Sequence, residues 1–351
     1  MQKIPTTVVT GFLGAGKSTL IRNLIENANG RRIALIVNEF GDVGVDGEML
    51  KACGNPSCTE DDIVELANGC ICCTVAEDFV PTMEKILARP QRPDCIVIET
   101  SGLALPQPLV RAFNWPEIKT QVTVDGVVTL VDAAAVAEGR FAADEDAVEA
   151  QRQADENLDH ETPLSELFED QIACADLILI SKSDLVSDDA LIDVETRIAE
   201  DARPAVRVVR TRKGDVAPEI VLGLAAAAED DQRLSHHEQE HLAAGFSIDL
   251  HDHDHDDFES FVVPLGSITS PEAFAGRVRA AMVEHDILRL KGFASVADKA
   301  MRLVVQAVGP RVESYFDREW REGEDRTTQL VVIGQAGLNR EAIIRMLRAP
   351  G

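Results

Sequence analysis

Four short stretches of this sequence carry residue types at spacings that do chemistry. The first is Gly11-Phe12-Leu13-Gly14-Ala15-Gly16-Lys17-Ser18-Thr19, a match to the pattern G-x-x-x-x-G-K-[ST]. Glycines let backbone N–H groups curl around phosphates, and the N-terminus of a following helix adds partial positive charge. Gly11, Gly14, Ala15, Gly16 and Thr19 would line such a cradle. Lys17 would reach the β- and γ-phosphates, and the Ser18 hydroxyl would ligate Mg²⁺. The pattern predicts a nucleoside triphosphate site.

The second stretch is Glu99-Thr100-Ser101-Gly102, at the end of an apolar run. An acid there can hold Mg²⁺ or orient a water, and the Gly102 N–H can sense the γ-phosphate. Lys17 and Glu99 are therefore the expected catalytic residues. The third, Ser181-Lys182-Ser183-Asp184, resembles the guanine-recognition signal Asn-Lys-x-Asp with Ser in place of Asn. The Asp184 carboxylate would accept two donors from guanine, a pair that adenine does not offer. Lys182 would lay its aliphatic stem along the base.

The fourth stretch is Cys70-Ile71-Cys72-Cys73. Thiolates so close together suit Zn²⁺, Cu⁺ or Co²⁺ rather than Mg²⁺ or Ca²⁺, and an incomplete cage suits a carrier that must let go. A reactive thiol pair or buried structural cysteines are the other readings of the same residues. Cys53 and Cys58 are possible assistants by type, whereas Cys95 and Cys174 lie in apolar elements and read as core. Glu39, in the polar end of an apolar run, joins the candidate metal ligands. His236, His237, His241, His251, His253 and His255 fall in one polar stretch, read either as weak metal capture or as a solvated linker.

The elements that must position these groups can be read from the flanks. Thr6–Thr10 is a β-branched strand, and Leu20, Ile21, Leu24 and Ile25 recur at helical spacing up to Asn29-Gly30. Further strands are expected at 32–40, 95–100, 127–131 (after an Asp125-Gly126 turn), 176–180 and 205–209. Helices are expected around Phe79, Met83, Ile86 and Leu87, over 164–173, and from 210 to about 228. Residues 41–62 read as a long functional loop, and 133–163 as an exposed, acidic, largely helical insertion. Beyond a His/Asp-rich linker at 229–257, strands are expected at 258–263, 287–293, 302–307 and 329–333, with helices at 270–285 and 339–347.

The fold class expected is α/β: a P-loop NTPase with a mostly parallel sheet flanked by helices, plus a smaller α+β C-terminal domain. Its domains would be 1–228, with the insertion at about 133–163, and 258–351. The net charge of −27 over 351 residues argues against nucleic acid or an anionic membrane as partner. No apolar run has transmembrane length, and the N-terminus runs straight into the first strand, so a cytoplasmic location is expected. Seven cysteines with three packed together make a poor disulfide framework.

Taken in order, the GxxGxGKST loop, the Cys-x-Cys-Cys motif, the acidic strand end, the Asn-Lys-x-Asp-like signal, the histidine-rich linker and the smaller C-terminal domain resemble the CobW family of metal-handling GTPases. The resemblance spans nearly the whole chain. It implies binding of GTP and Mg²⁺, slow hydrolysis, and delivery of a transition metal to a client metalloprotein. Residues 38–47, Cys53, Cys58 and the 133–168 segment resemble the branch serving aerobic cobalamin biosynthesis, which implies Co²⁺ delivered to cobaltochelatase. The ligand types alone do not select cobalt over zinc. Three alternatives stay open: a zinc-directed carrier of the same family, a redox-sensing P-loop regulatory module, and an ATP-dependent small-molecule kinase.

Overall fold

A computed structural model describes residues 3–38, 63–66, 79–154, 163–222, 258–321 and 324–349. The chain divides into two compact units, with the boundary after Leu222.

The first unit is built on a 7-stranded sheet of order β3-β2-β4-β1-β5-β6-β7. Its strands are β1 (Ile4–Thr10), β2 (Ile33–Asn38), β3 (Ile63–Leu66), β4 (Cys95–Glu99), β5 (Val122–Asp132), β6 (Leu177–Ser181) and β7 (Arg207–Arg210). Every pairing is parallel. Parallel strands need crossovers, which put helices on both faces; β1, β4, β5 and β6 are buried along their whole length, while the edge strand β7 is not. The helices are α1 (Lys17–Glu26), α2 (Val80–Leu87), α3 (Gln107–Ala112), α4 (Ala133–Ala137), α5 (Glu145–Ala154), α6 (Leu164–Cys174), α7 (Asp188–Asp201) and the short α8 (Pro218–Val221). Pro81 sits in the first turn of α2, where its missing N–H costs nothing.

Separate apolar clusters form. One joins Val8, Ile36, Ile96 and Ile98 to Phe79, Met83, Ile86 and Leu109 of the α2–α3 region. Another joins Phe12, Val131, Ile178 and Ile180 to Val136, Val148, Phe168, Ile172, Val194 and Ile198. Because adjacent parallel strands end at one edge, the residues after β1, β4, β5 and β6 are gathered there, as expected for ligands of open α/β sheets.

Several expectations are corrected. Asp125-Gly126 is no turn: β5 runs through it, and opposite β1 the register passes from Thr6↔Val124 to Thr7↔Gly126, leaving Asp125 as the extra residue of a bulge. The described part of 133–163 is helical but not wholly exposed, since Ala133, Ala135, Val136, Ala142 and Val148 are buried. Their alanines conceal the apolar face from a periodicity reading. The last strand begins at Arg207 rather than 205, where Ala205 has φ +72°. The helix expected up to 228 is the four-residue α8, as far as the described residues go.

The second unit carries a 5-stranded antiparallel sheet, order β11-β10-β9-β12-β8. Its strands are β8 (Phe258–Leu265), β9 (Ile287–Ala294), β10 (Met301–Val308), β11 (Arg311–Glu319) and β12 (Thr328–Gln335), with helices α9 (Pro271–Glu284) and α10 (Arg340–Arg348). Strand β11 was not expected from the sequence. The buried Arg302 guanidinium lies 3.5 Å over the Phe293 ring and donates to Asp317 at 2.6 Å. Among the described residues of the whole chain, no helix is long and apolar enough to cross a membrane.

Candidate functional site

The phosphate-loop glycines hold conformations that an L side chain rarely adopts. Gly11, Gly14 and Gly16 have φ +137°, +77° and +98°. At Gly11 a Cβ would stand 2.4 Å from the Leu130 carbonyl oxygen, so neighbouring β5 also excludes any larger residue. Phe12 fixes the loop from below. It is buried and packs with Phe141 and Phe168, ring centroids 6.2 Å away in both cases. Phe141 comes from the segment read as an exposed insertion, which therefore helps seat the loop.

Helix α1 starts from Gly16 with no side-chain cap and no acidic residue in its first turn. An N-terminus left so is electrostatically suited to an anion. The Lys17 ammonium is buried and donates to the carbonyls of Gly11 at 2.8 Å and Phe12 at 3.2 Å, folded back over its own loop. The Ser18 hydroxyl donates to Glu99 at 3.5 Å. The Val9↔Glu99 register sets this pair by placing the end of β4 beside the start of the loop. The donor set fits Mg²⁺·nucleotide: hard oxygens for Mg²⁺ at Ser18 and Glu99, a buried cation and helix amides for phosphate.

After Glu99 the chain crosses close to the loop. A Cβ on Gly102 would meet the Leu13 nitrogen at 2.7 Å, so only glycine fits this approach. The buried Gln171 side chain on α6 donates to the carbonyls of Gly102 at 3.0 Å and Ala104 at 3.2 Å. Sequence reasoning passed over Gln171, because a lone polar residue in an amphipathic helix gives no signal.

On the other side, Ser181 ends β6 and a Cβ on Gly16 would lie 3.9 Å from the Ser181 Cβ, so the base signal adjoins the phosphate loop. Lys182 has φ +55° and pairs with Asp132 at 2.5 Å, while Asp184 is exposed and open to a base. Residues 211–215 close this side, with the Thr211 carbonyl accepting from the Ser183 hydroxyl at 3.1 Å and Asn23 donating to the Gly214 carbonyl at 2.6 Å. The sequence reading missed Asp132 and this loop. Their signals were an acid before an alanine run, which marks an N-cap, and a Lys-Gly-Asp turn at a strand end.

The structure thus brings together Gly11, Gly14, Ala15, Gly16, Lys17, Ser18, Thr19, Glu99, Gly102, Lys182 and Asp184. Glu39, Cys70, Cys72 and Cys73 lie outside the described residues, as do Cys53, Cys58 and the histidine-rich stretch. Among the described residues no other group of three or more His, Cys, Asp or Glu could hold a metal ion. Cys95 is buried, and burial first, then the nearby Asp176 carboxylate, pushes the half-buried Cys174 thiol up to about 12, which suits neither nucleophile nor ligand.

Comparison with known proteins agrees with a nucleotide-binding fold followed by a second domain. Residues 5–210 match the model of the CobW/HypB/UreG nucleotide-binding domain, and residues 258–350 match the CobW C-terminal domain. The chain belongs to the CobW family. It is a P-loop GTPase of a metal-handling family. A relative from Sinorhizobium sp, named zinc chaperone CobW, is 58% identical across 97% of this chain and 95% of its own length. A zinc chaperone CobW from Pseudomonas aeruginosa is 51% identical across 99% of this chain and 92% of its own. The zinc-regulated GTPase metalloprotein activator 1 of Schizosaccharomyces pombe is 36% identical across 56% of this chain and 43% of its own length.

Proposed function

We propose that this CobW-family protein is a GTP-gated carrier that binds Zn²⁺ at Cys70, Cys72 and Cys73 and hands it to a client metalloprotein. The observation that carries the reading is the shared sheet edge. Strand β3, after which the chain reaches Cys70, is parallel to β4 and separated from it only by β2, so its C-terminal end lies at the edge that carries Glu99. The nucleotide site and the strand that leads into the thiol segment then share one sheet, and we propose that a change at one biases the other.

Lys17 and the α1 amides hold the phosphates, and Asp184 takes the guanine edge. Mg²⁺ held by Ser18 and Glu99 would neutralise charge on the β- and γ-phosphates. Hydrolysis transfers the γ-phosphoryl to water and leaves GDP, ending the contacts that γ-phosphate makes near Gly102. In this reading metal release follows that loss, and the nucleotide acts as timer rather than as energy source for chemistry on the cargo.

Zinc as cargo is supported by the names of the relatives that match nearly the full chain. Delivery of Co²⁺ to cobaltochelatase rests on the sequence resemblance alone. Metal analysis of the GTP-bound, reduced protein in a buffered mixture of Co²⁺ and Zn²⁺ separates them: zinc occupancy supports the proposal, and preferential cobalt occupancy replaces it with the cobalt reading. Metal stoichiometry unchanged by Cys72→Ser would overturn the thiol site and favour a redox module.

A further inference from the structure

We propose that Asp132 is a positioning residue for base recognition, holding Lys182, and through it the turn that carries Asp184, where the usual signal relies on an asparagine amide. The inference rests on guanine recognition by Asp184.

Asp132 and Ser181 are register partners at the ends of β5 and β6. Ser181 lacks a side-chain amide, and its hydroxyl is directed elsewhere, donating to the Val131 carbonyl at 3.2 Å. Ser181 therefore does not steady the turn that follows. Lys182 nevertheless adopts a left-handed backbone, φ +55°, which a non-glycine residue keeps only where its surroundings hold it. The contact that holds its side chain is the Asp132 carboxylate, at 2.5 Å, with Asp132 1% exposed and Lys182 32% exposed. Charge-assisted bonds of this kind are roughly twice as strong as neutral ones.

The two Asp132 oxygens divide their work. Oδ1 accepts from the N–H groups of Ala134 at 3.0 Å and Ala135 at 3.2 Å, capping α4, and Oδ2 takes the lysine. On the far side of the turn, Ser183 is fixed to the Thr211 carbonyl through its hydroxyl at 3.1 Å and its N–H at 3.4 Å. The residues before Asp184 are thus anchored at both ends, leaving its carboxylate exposed. Loosening the Asp132 end lets the turn, and the Lys182 stem along the base, drift.

Asp132→Asn separates the two duties, because asparagine caps a helix as well as aspartate but gives Lys182 no charge. Displacement of a fluorescent GDP analogue by GDP and by inosine diphosphate, which lacks the exocyclic amine, reads the consequence. Wild type should prefer GDP; if it does not, the Asp184 reading fails and takes this inference with it. Given that preference, Asp132→Asn should melt as wild type does, bind GDP about tenfold more weakly, and show a narrower GDP-to-IDP ratio. Lys182→Met should give the same loss, and the double variant no more than either alone. Wild-type GDP affinity and ratio in Asp132→Asn, or losses that add in the double variant, would overturn the proposal. Should Asp132→Asn melt early, Lys182→Met decides alone, and an unchanged ratio there overturns it.

Discussion

The Ser18 hydroxyl, in the first turn of α1, and the Glu99 carboxylate, at the end of β4, stand 3.5 Å apart beside the phosphate loop. Neither side chain needs the other for folding, since Ser18 is half-buried on α1 and Glu99 ends a strand secured by its backbone. On the proposed reading their shared use would be a hard cation. Glu99→Gln should therefore lower GTP hydrolysis by roughly a hundredfold while changing GDP affinity only a few-fold. Phosphate release against fluorescent-nucleotide binding checks this, and hydrolysis at the wild-type rate would remove Glu99 from the site.

Gly102 tests the close approach to the loop. Gly102→Ala puts a Cβ 2.7 Å from the Leu13 nitrogen, so the loop or the 100–104 segment must move. Overpacking of this kind costs on the order of 1–3 kcal/mol. The expected outcome is a folded protein whose affinity for a GTP analogue falls further than its affinity for GDP, measured by calorimetry. Equal losses would mean that Gly102 does not sense the γ-phosphate.

Gln171 holds the same segment from behind. Gln171→Leu keeps the bulk but leaves the Gly102 and Ala104 carbonyls without that donor. A buried carbonyl deprived of its donor costs about 1–3 kcal/mol. Chemical denaturation should show a loss of that size, and a neutral result would mean that water replaces the amide.

The second unit should respond to acid. A hydrogen bond from Arg318 lowers the Glu324 carboxyl, burial opposes it, and the Arg321 N–H adds to the lowering, leaving it at about 2. A depressed folded value gives stability that is complete above the ordinary value near 4.5 and lost as pH falls through about 2. Denaturant midpoints of the full chain between those limits should fall for wild type and fall less steeply for Glu324→Gln. Parallel slopes would remove Glu324 from the acid response.

What could be read in advance was local. The phosphate loop places three glycines of positive φ within six residues of chain, and the apolar strands around it are short and unbroken. What escaped depends on sheet order. The pairing of Asp132 with Lys182 exists because β5 and β6 are neighbours, which no spacing along the chain announces. Gln171 acts across from α6 to the segment after β4 in the same way. Strand β11 was hidden because, at the sheet edge, Glu313 and Ser314 are exposed and the apolar alternation is diluted by charge. Asp125-Gly126 carried a turn's composition, yet the extended β5 absorbs it as a bulge.

The central claim is that nucleotide state sets metal affinity. Titration of Zn²⁺ into the reduced full chain, with Mg²⁺ and either a non-hydrolysable GTP analogue or GDP, measures it directly. The account predicts binding at least about tenfold tighter in the triphosphate state, a coupling of about 1.4 kcal/mol, lost in Cys72→Ser. Equal zinc affinity in the two nucleotide states would contradict it.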